Sequence, residues 1–122
     1  MIKVMLVDDQ RTVRQGLRMR LALEPDVTVV GEAADGAAAL SLALSLCPDV
    51  VVMDVGMPGM DGVAATAALR AASPHSAVVM LSVYDDAATR RRALSAGAVA
   101  FVGKHEAAEA LADAIRQAAA RP

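Results

Sequence analysis

Two hydrophobic rhythms alternate along the chain. Short β-branched runs at Ile2–Val7, Val27–Gly31, Val50–Met53, Ala77–Leu81 and Val99–Val102 have the length and composition of strands. Between them lie longer stretches of Ala, Leu and Arg with apolar residues three or four apart. Val13, Leu17 and Leu21 form one such set, Leu111 and Ile115 another, and this is the period of a helix with one buried face. Turn and stop residues separate the two patterns at Glu24-Pro25-Asp26, Asp35-Gly36, Cys47-Pro48-Asp49, Asp61-Gly62 and Ser73-Pro74-His75. Val50-Val51-Val52-Met53 and Val78-Val79-Met80-Leu81 are apolar without alternation, as strands covered on both faces should be.

Five strands alternating with five helices predict an α/β fold with a doubly wound parallel sheet. Right-handed crossovers leave few topologies, and the flavodoxin-like strand order 2-1-3-4-5 is the one expected for five strands. A length of 122 residues fits one domain. Apolar residues make up 56% of the chain but aromatics only 2%, so the core must come from Val, Leu, Ala and Met. The apolar runs are strand-sized, which predicts no membrane span. Asp8 and Asp9 interrupt the N-terminal run, which argues against a signal peptide. The single Cys47 allows no internal disulfide and suits a reducing cytoplasm. A formal net charge of −2 provides no basic footprint for nucleic acid.

In an open α/β sheet, ligands gather at the carboxyl ends of the strands, near the switch in strand order. The first run ends in Asp8-Asp9, the third in Asp54 and the fourth in Ser82, and the fifth leads into Gly103-Lys104. Each residue has an ordinary explanation: Asp8-Asp9 or Ser82 as helix caps, Asp54 as a turn former, Lys104 as a solvated lysine. Capping needs alone do not explain all of them at neighbouring strand ends. Three adjacent carboxylates repel, and Lys104 offsets only one charge, so a hard cation is expected among them. An all-oxygen donor set suits Mg²⁺, and the chain has neither a zinc cluster nor an EF-hand loop there. Carboxylates around Mg²⁺ beside a lysine form a site for an incoming phosphoryl group. Asp54, on the central strand, is the expected nucleophile. Lys104 would neutralise equatorial oxygens and Ser82 would bond a phosphoryl oxygen.

These motifs resemble the receiver domain of two-component response regulators over essentially the whole chain, 1–122. The matching residues include Val4-Met5-Leu6-Val7-Asp8-Asp9-Gln10, Gly31-Glu32-Ala33-Ala34-Asp35-Gly36 and Pro48-Asp49-Val50-Val51-Val52-Met53-Asp54. Met57-Pro58-Gly59-Met60-Asp61-Gly62 and Ala96-Gly97-Ala98 extend the match, and the wording is most similar to the NarL/LuxR-type branch. The resemblance implies that Asp54 receives its phosphoryl group from a sensor histidine kinase. It implies Asp9 and Asp54 as Mg²⁺ ligands, Asp8 acting through water, and the Gly56 carbonyl completing the set. Ser82 becomes the switch hydroxyl, Phe101 the switch aromatic and Lys104 the phosphate-pairing lysine. It also implies a homodimer on phosphorylation, and a C-terminal helix-turn-helix domain, beyond this chain, that contacts DNA and regulates transcription. The chain is therefore expected to be a fragment of a longer cytoplasmic regulator rather than a stand-alone receiver.

Some positions depart from the family's habit. Gly56 replaces a larger side chain beside the phosphoryl group, and with Tyr84 it should alter water access. His105 follows the lysine where many receivers have proline, and Arg90-Arg91-Arg92 makes the fourth helix basic. The arginine run reads first as a solvated face. Other classes fit less well. A Mg²⁺-dependent phosphohydrolase of the haloacid-dehalogenase kind needs an acid two residues after its nucleophile, where this chain has Gly56. A flavodoxin needs a Ser/Thr-rich phosphate loop after the first strand. A pseudo-receiver would not keep all of Asp8, Asp9, Asp54, Ser82 and Lys104. The reading is a switch with chemistry only on itself, not an enzyme with a diffusible substrate.

Overall fold

The computed structural model describes residues 1–56, 61–82, 86–104 and 108–121. In chain order they form β1 (Ile2–Val7), α1 (Arg11–Leu21), β2 (Val27–Ala33), α2 (Gly36–Leu46) and β3 (Val50–Asp54). There follow α3 (Gly62–Ala72), β4 (Ala77–Ser82), α4 (Ala87–Ala96), β5 (Ala100–Gly103) and α5 (Ala108–Ala119). All strand pairs are parallel and the sheet order is β2-β1-β3-β4-β5, as predicted.

Strand side chains alternate between the two faces, and two cores result. Met5, Val7, Val51, Met53, Val78, Met80 and Phe101 meet α2, α3 and α4 through Ala39, Ala43, Ala65, Leu69 and Ala93. Val4, Leu6, Val50, Val52, Val79, Leu81 and Val102 meet α1 and α5 through Leu17, Leu21, Leu111 and Ile115. Fully buried alanines let the first set of helices approach the sheet closely, so a tight core needs almost no aromatic residues. Among the described residues, no helix is long and apolar enough to cross a membrane.

Most strand limits reach past the hydrophobic runs. β2 continues to Ala33 because Leu6 pairs with Glu32 and Val7 with Ala33. β3 and β4 each take in their polar last residue, Asp54 and Ser82, and β5 lies one residue later than its hydrophobic run. Backbone groups must be paired whatever side chain they carry, so hydropathy underestimates strand length where functional residues begin. The caps follow the sequence more closely. The Asp35 carboxylate accepts from Ala38 N and that of Asp61 from Ala64 N, each at 2.8 Å, satisfying a free amide at a helix start.

The start of α3 bears directly on Asp54. Gly62 N–H donates to the Val55 carbonyl at 3.0 Å, and a Cβ at Gly62 would overlap the Asp54 carbonyl oxygen. Only a glycine lets the helix sit this close to the end of β3. Gly62→Ala is expected to lower stability by about 1–3 kcal/mol through overpacking, although alanine is otherwise the better helix former. Urea denaturation checks this, and an unchanged or raised midpoint would show that the contact is not tight.

Candidate functional site

Two strand ends and the residues that directly follow two other strands build the site. β1 delivers Asp8 and Asp9, β3 delivers Asp54, β4 ends in Ser82, and Lys104 follows β5. Register fixes their heights: Asp54 pairs with Leu81 and Ser82 with Gly103, and Lys104 N–H donates to the Ser82 carbonyl at 2.7 Å. Carboxylate oxygens of Asp8, Asp9 and Asp54 lie within 4.8 Å of one another. The Lys104 ammonium is 3.2 Å from Asp8 Oδ2 and 3.5 Å from Asp54 Oδ1. The structure therefore brings together the acidic trio and the lysine expected from the sequence.

The ordinary explanations for these residues largely fall away. The N-cap of α1 is Gln10, which makes no side-chain cap bond, and Asp8 Oδ1 accepts from Gln10 N–H at 2.9 Å within the turn. The N-cap of α4 is Asp86, not Ser82, and Ser82 is buried. Lys104 is only partly exposed and is paired with two acids. Asp54 does hold its own turn, by a long 3.3 Å bond from Gly56 N–H.

Asp8 and Asp54 are buried, at 1% and 9% exposure, whereas Asp9 is exposed. Burial pushes the Asp54 carboxyl above its ordinary value of 3.8, and the charge on Asp8 pushes it further. Lys104 and the Gly56 amide oppose this without cancelling it. Three carboxylates facing one ammonium leave a formal excess of two negative charges. The donor set fits a hard cation of the magnesium type. Oxygens on opposite sides of an octahedral Mg²⁺ are about 4 Å apart, close to the spacing here, and exposed Asp9 can turn to close the remainder.

Phe101 lies outside this cluster, buried in the core beside Met53 and Met80. Arg90 stacks over its ring, with Cζ 4.8 Å from the centroid. Arg92 approaches Asp61 at 4.0 Å on the surface. The arginine run is exposed, as the sequence suggests, and Arg90 in addition covers the ring of Phe101. Among the described residues, a Cβ at Gly56 would meet nothing within 4 Å. Tyr84, His105 and the Met57-Pro58-Gly59-Met60 portion of the motif lie outside the described residues. Sequence reading also passed over Arg14, whose Nη1 donates to the Asp8 carbonyl at 2.6 Å while Nε donates to Glu32 at 3.1 Å. The available signals were its place one turn into α1 and the Glu in Gly31-Glu32-Ala33.

A raised Asp54 pKa means that the folded state binds this proton more tightly than the unfolded chain does. The associated stability is complete below the unfolded value of 3.8 and is lost as pH rises through the folded value. Ionised Asp54 therefore weakens the metal-free fold at neutral pH. In chelator, Asp54→Asn is expected to raise Tm at pH 7, with the gain shrinking as pH falls toward 3.8. A variant that melts at or below the wild type at pH 7 would contradict the electrostatic picture.

Comparison with known proteins agrees with the geometry. Residues 4–116 match the response regulator receiver domain family. The chain is 43% identical over 119 residues to the transcriptional regulatory protein LiaR of Bacillus subtilis, covering 97% of this chain and 56% of that protein. It thus spans about half the length of the curated relatives it matches. Among solved structures, it superposes on a signal receiver domain assigned to the response regulator NarL of Mycobacterium tuberculosis with a TM-score of 0.92 at 38% identity, covering 98% of each chain. A LuxR-family two-component response regulator from Aurantimonas gives a TM-score of 0.93 at 35% identity, covering 97% of this chain and 84% of that one. With its 2-1-3-4-5 sheet and the acidic cluster at the carboxyl edge, the chain belongs to the response regulator receiver domains of two-component systems, in the NarL/LuxR-type branch.

Proposed function

We propose that this receiver is a phosphorylation switch in which Asp54 accepts a phosphoryl group from a sensor histidine kinase. One observation carries the reading: carboxylates from two neighbouring strands share a 4.8 Å neighbourhood with Lys104 at hydrogen-bonding distance. Asp8, Asp9 and Asp54, with the Gly56 carbonyl, would hold Mg²⁺. The ion supplies charge neutralisation on the phosphoryl oxygens.

The chain's own residues account for the remaining steps. A carboxylate oxygen of Asp54 attacks the phosphorus of the donor, the bond from phosphorus to the donor's histidine nitrogen breaks, and that nitrogen keeps the electron pair. Lys104 lies 3.5 Å from Asp54 Oδ1 and accompanies the incoming charge. The product adds about −1.5 to −2 charge at a buried position, drawing Lys104 from Asp8 toward the new oxygens. Ser82, buried at the end of β4, donates its hydroxyl to one of them. Phe101 then turns into the vacated space and leaves Arg90. A charge change at the sheet edge becomes a change in the surface of α4 and β5.

In the whole protein this surface would govern homodimerisation and a transcriptional output. DNA would be contacted by a helix-turn-helix domain outside residues 1–122. The 56% coverage of LiaR, a transcriptional regulatory protein, supports that output.

With acetyl phosphate and Mg²⁺, intact mass spectrometry should show one added, hydroxylamine-labile phosphoryl group, and Asp54→Asn should show none. Label persisting in that variant would refute Asp54 as acceptor. Lys104→Ala should still accept phosphate but lose most of the phosphate-dependent surface change, read as dimerisation by light scattering. Dimerisation equal to wild type would refute the coupling role of Lys104.

A further inference from the structure

The geometry points to Arg14, braced by Glu32, as a positioning residue that sets the Asp8–Asp9 peptide and so prepares the acidic pocket for its cation. This inference rests on the reading of Asp8, Asp9 and Asp54 as a magnesium site.

The Asp8 carbonyl belongs to the peptide that joins Asp8 to Asp9. Its direction fixes the plane of that peptide and hence where the Asp9 side chain starts. Arg14, from the first turns of α1, donates to this carbonyl at 2.6 Å. On the other side of the same residue, Asp8 N–H donates to the Ala33 carbonyl at 3.1 Å. The Asp8 backbone is therefore held at both ends, once by β2 directly and once through Arg14. Asp9 is exposed, so its placement depends on this peptide.

Arg14 is itself held by β2. Its Nε donates to Glu32 Oε1 at 3.1 Å, while Arg18 Nε donates to Glu32 Oε2 at 2.8 Å. Both arginines lower the pKa of Glu32, Arg18 most strongly. The planar guanidinium uses one edge for Glu32 and another for the peptide, which a lysine ammonium cannot reproduce in one fixed geometry. Glu32, shared with Arg18, offsets the charge of Arg14 in part. The guanidinium can thus approach the pocket without opposing a cation by a full uncompensated charge. Groups that orient metal ligands in this way typically change metal affinity by about 10–100-fold when removed.

Arg14→Gln separates positioning from simple charge, because the two effects have opposite signs. Removing a positive charge near the pocket would by itself tighten Mg²⁺ binding. Loss of the brace would weaken it. Isothermal titration calorimetry with MgCl₂ should give a Kd roughly 10-fold weaker than wild type, with Arg14→Lys between the two. In phosphorylation by acetyl phosphate, the half-saturating Mg²⁺ concentration should rise by the same factor while the rate at saturating Mg²⁺ stays near wild type. A purely structural role would lower Tm in chelator and leave the Mg²⁺ dependence where it was.

Unchanged or tighter Mg²⁺ binding in Arg14→Gln overturns the inference. Should that variant not fold, Arg14→Lys decides by the same measurement, and a wild-type Kd there overturns it too. If the wild-type protein takes up no Mg²⁺ and Asp9→Asn changes nothing, the reading of the site fails and the positioning role falls with it.

Discussion

Everything in this domain turns on a charge imbalance held in place by a parallel sheet. Three carboxylates meet one ammonium at the carboxyl edge of β1 and β3, and Asp54 is pushed toward its protonated form. Buried like charges cost stability unless another group joins them. The fold keeps them together because it is built from apolar strands, with Asp54 the last residue of β3 and Asp8 and Asp9 directly following β1. Two cores, one on each face, hold β1 and β3 in register below them. The gathering of acidic oxygens at this edge is thus a consequence of burial that lies elsewhere.

Close backbone approach is the second condition. Alanines at 39, 43, 65 and 93 are fully buried and bring α2, α3 and α4 down onto the sheet. Gly62 brings the start of α3 against the Asp54 carbonyl. The end of β3 is consequently fixed from behind, while Lys104 approaches from the β5 side. Only Asp9 stands exposed in this arrangement, so it is the member of the trio best able to adjust when a cation enters.

The architecture and the acidic trio were legible in the sequence because both are recorded locally. Alternating strand-sized and helix-sized apolar patterns define the elements, and polar residues at strand ends announce themselves by breaking those patterns. Asp8, Asp9, Asp54 and Lys104 were found in this way, and the structure brings them together. Ser82 stands out in the same way as a hydroxyl at the end of the fourth run, whereas its switch role, that of Phe101 and the ligand role of Gly56 come from family resemblance, because nothing in their local pattern specifies them. Long side chains were harder to place. Arg14 reaches from α1 to the Asp8 carbonyl and to Glu32 on β2, and Arg90 reaches from α4 to the ring of Phe101 on β5. Such contacts depend on how elements pack, which periodicity does not encode. Strand ends were underestimated at Glu32-Ala33, Asp54 and Ser82 for a related reason: backbone pairing continues where hydrophobicity stops.

The central claim is that this edge of the sheet captures a divalent ion. Titrating Mg²⁺ into uniformly ¹⁵N-labelled protein and following the backbone amides tests it most directly. The account predicts saturable shifts centred on Asp9, Asp54 and Gly56 that follow one binding curve and disappear in Asp54→Asn. Weak, non-saturating shifts spread over exposed acids such as Asp113 and Glu109, identical in the variant, would contradict it.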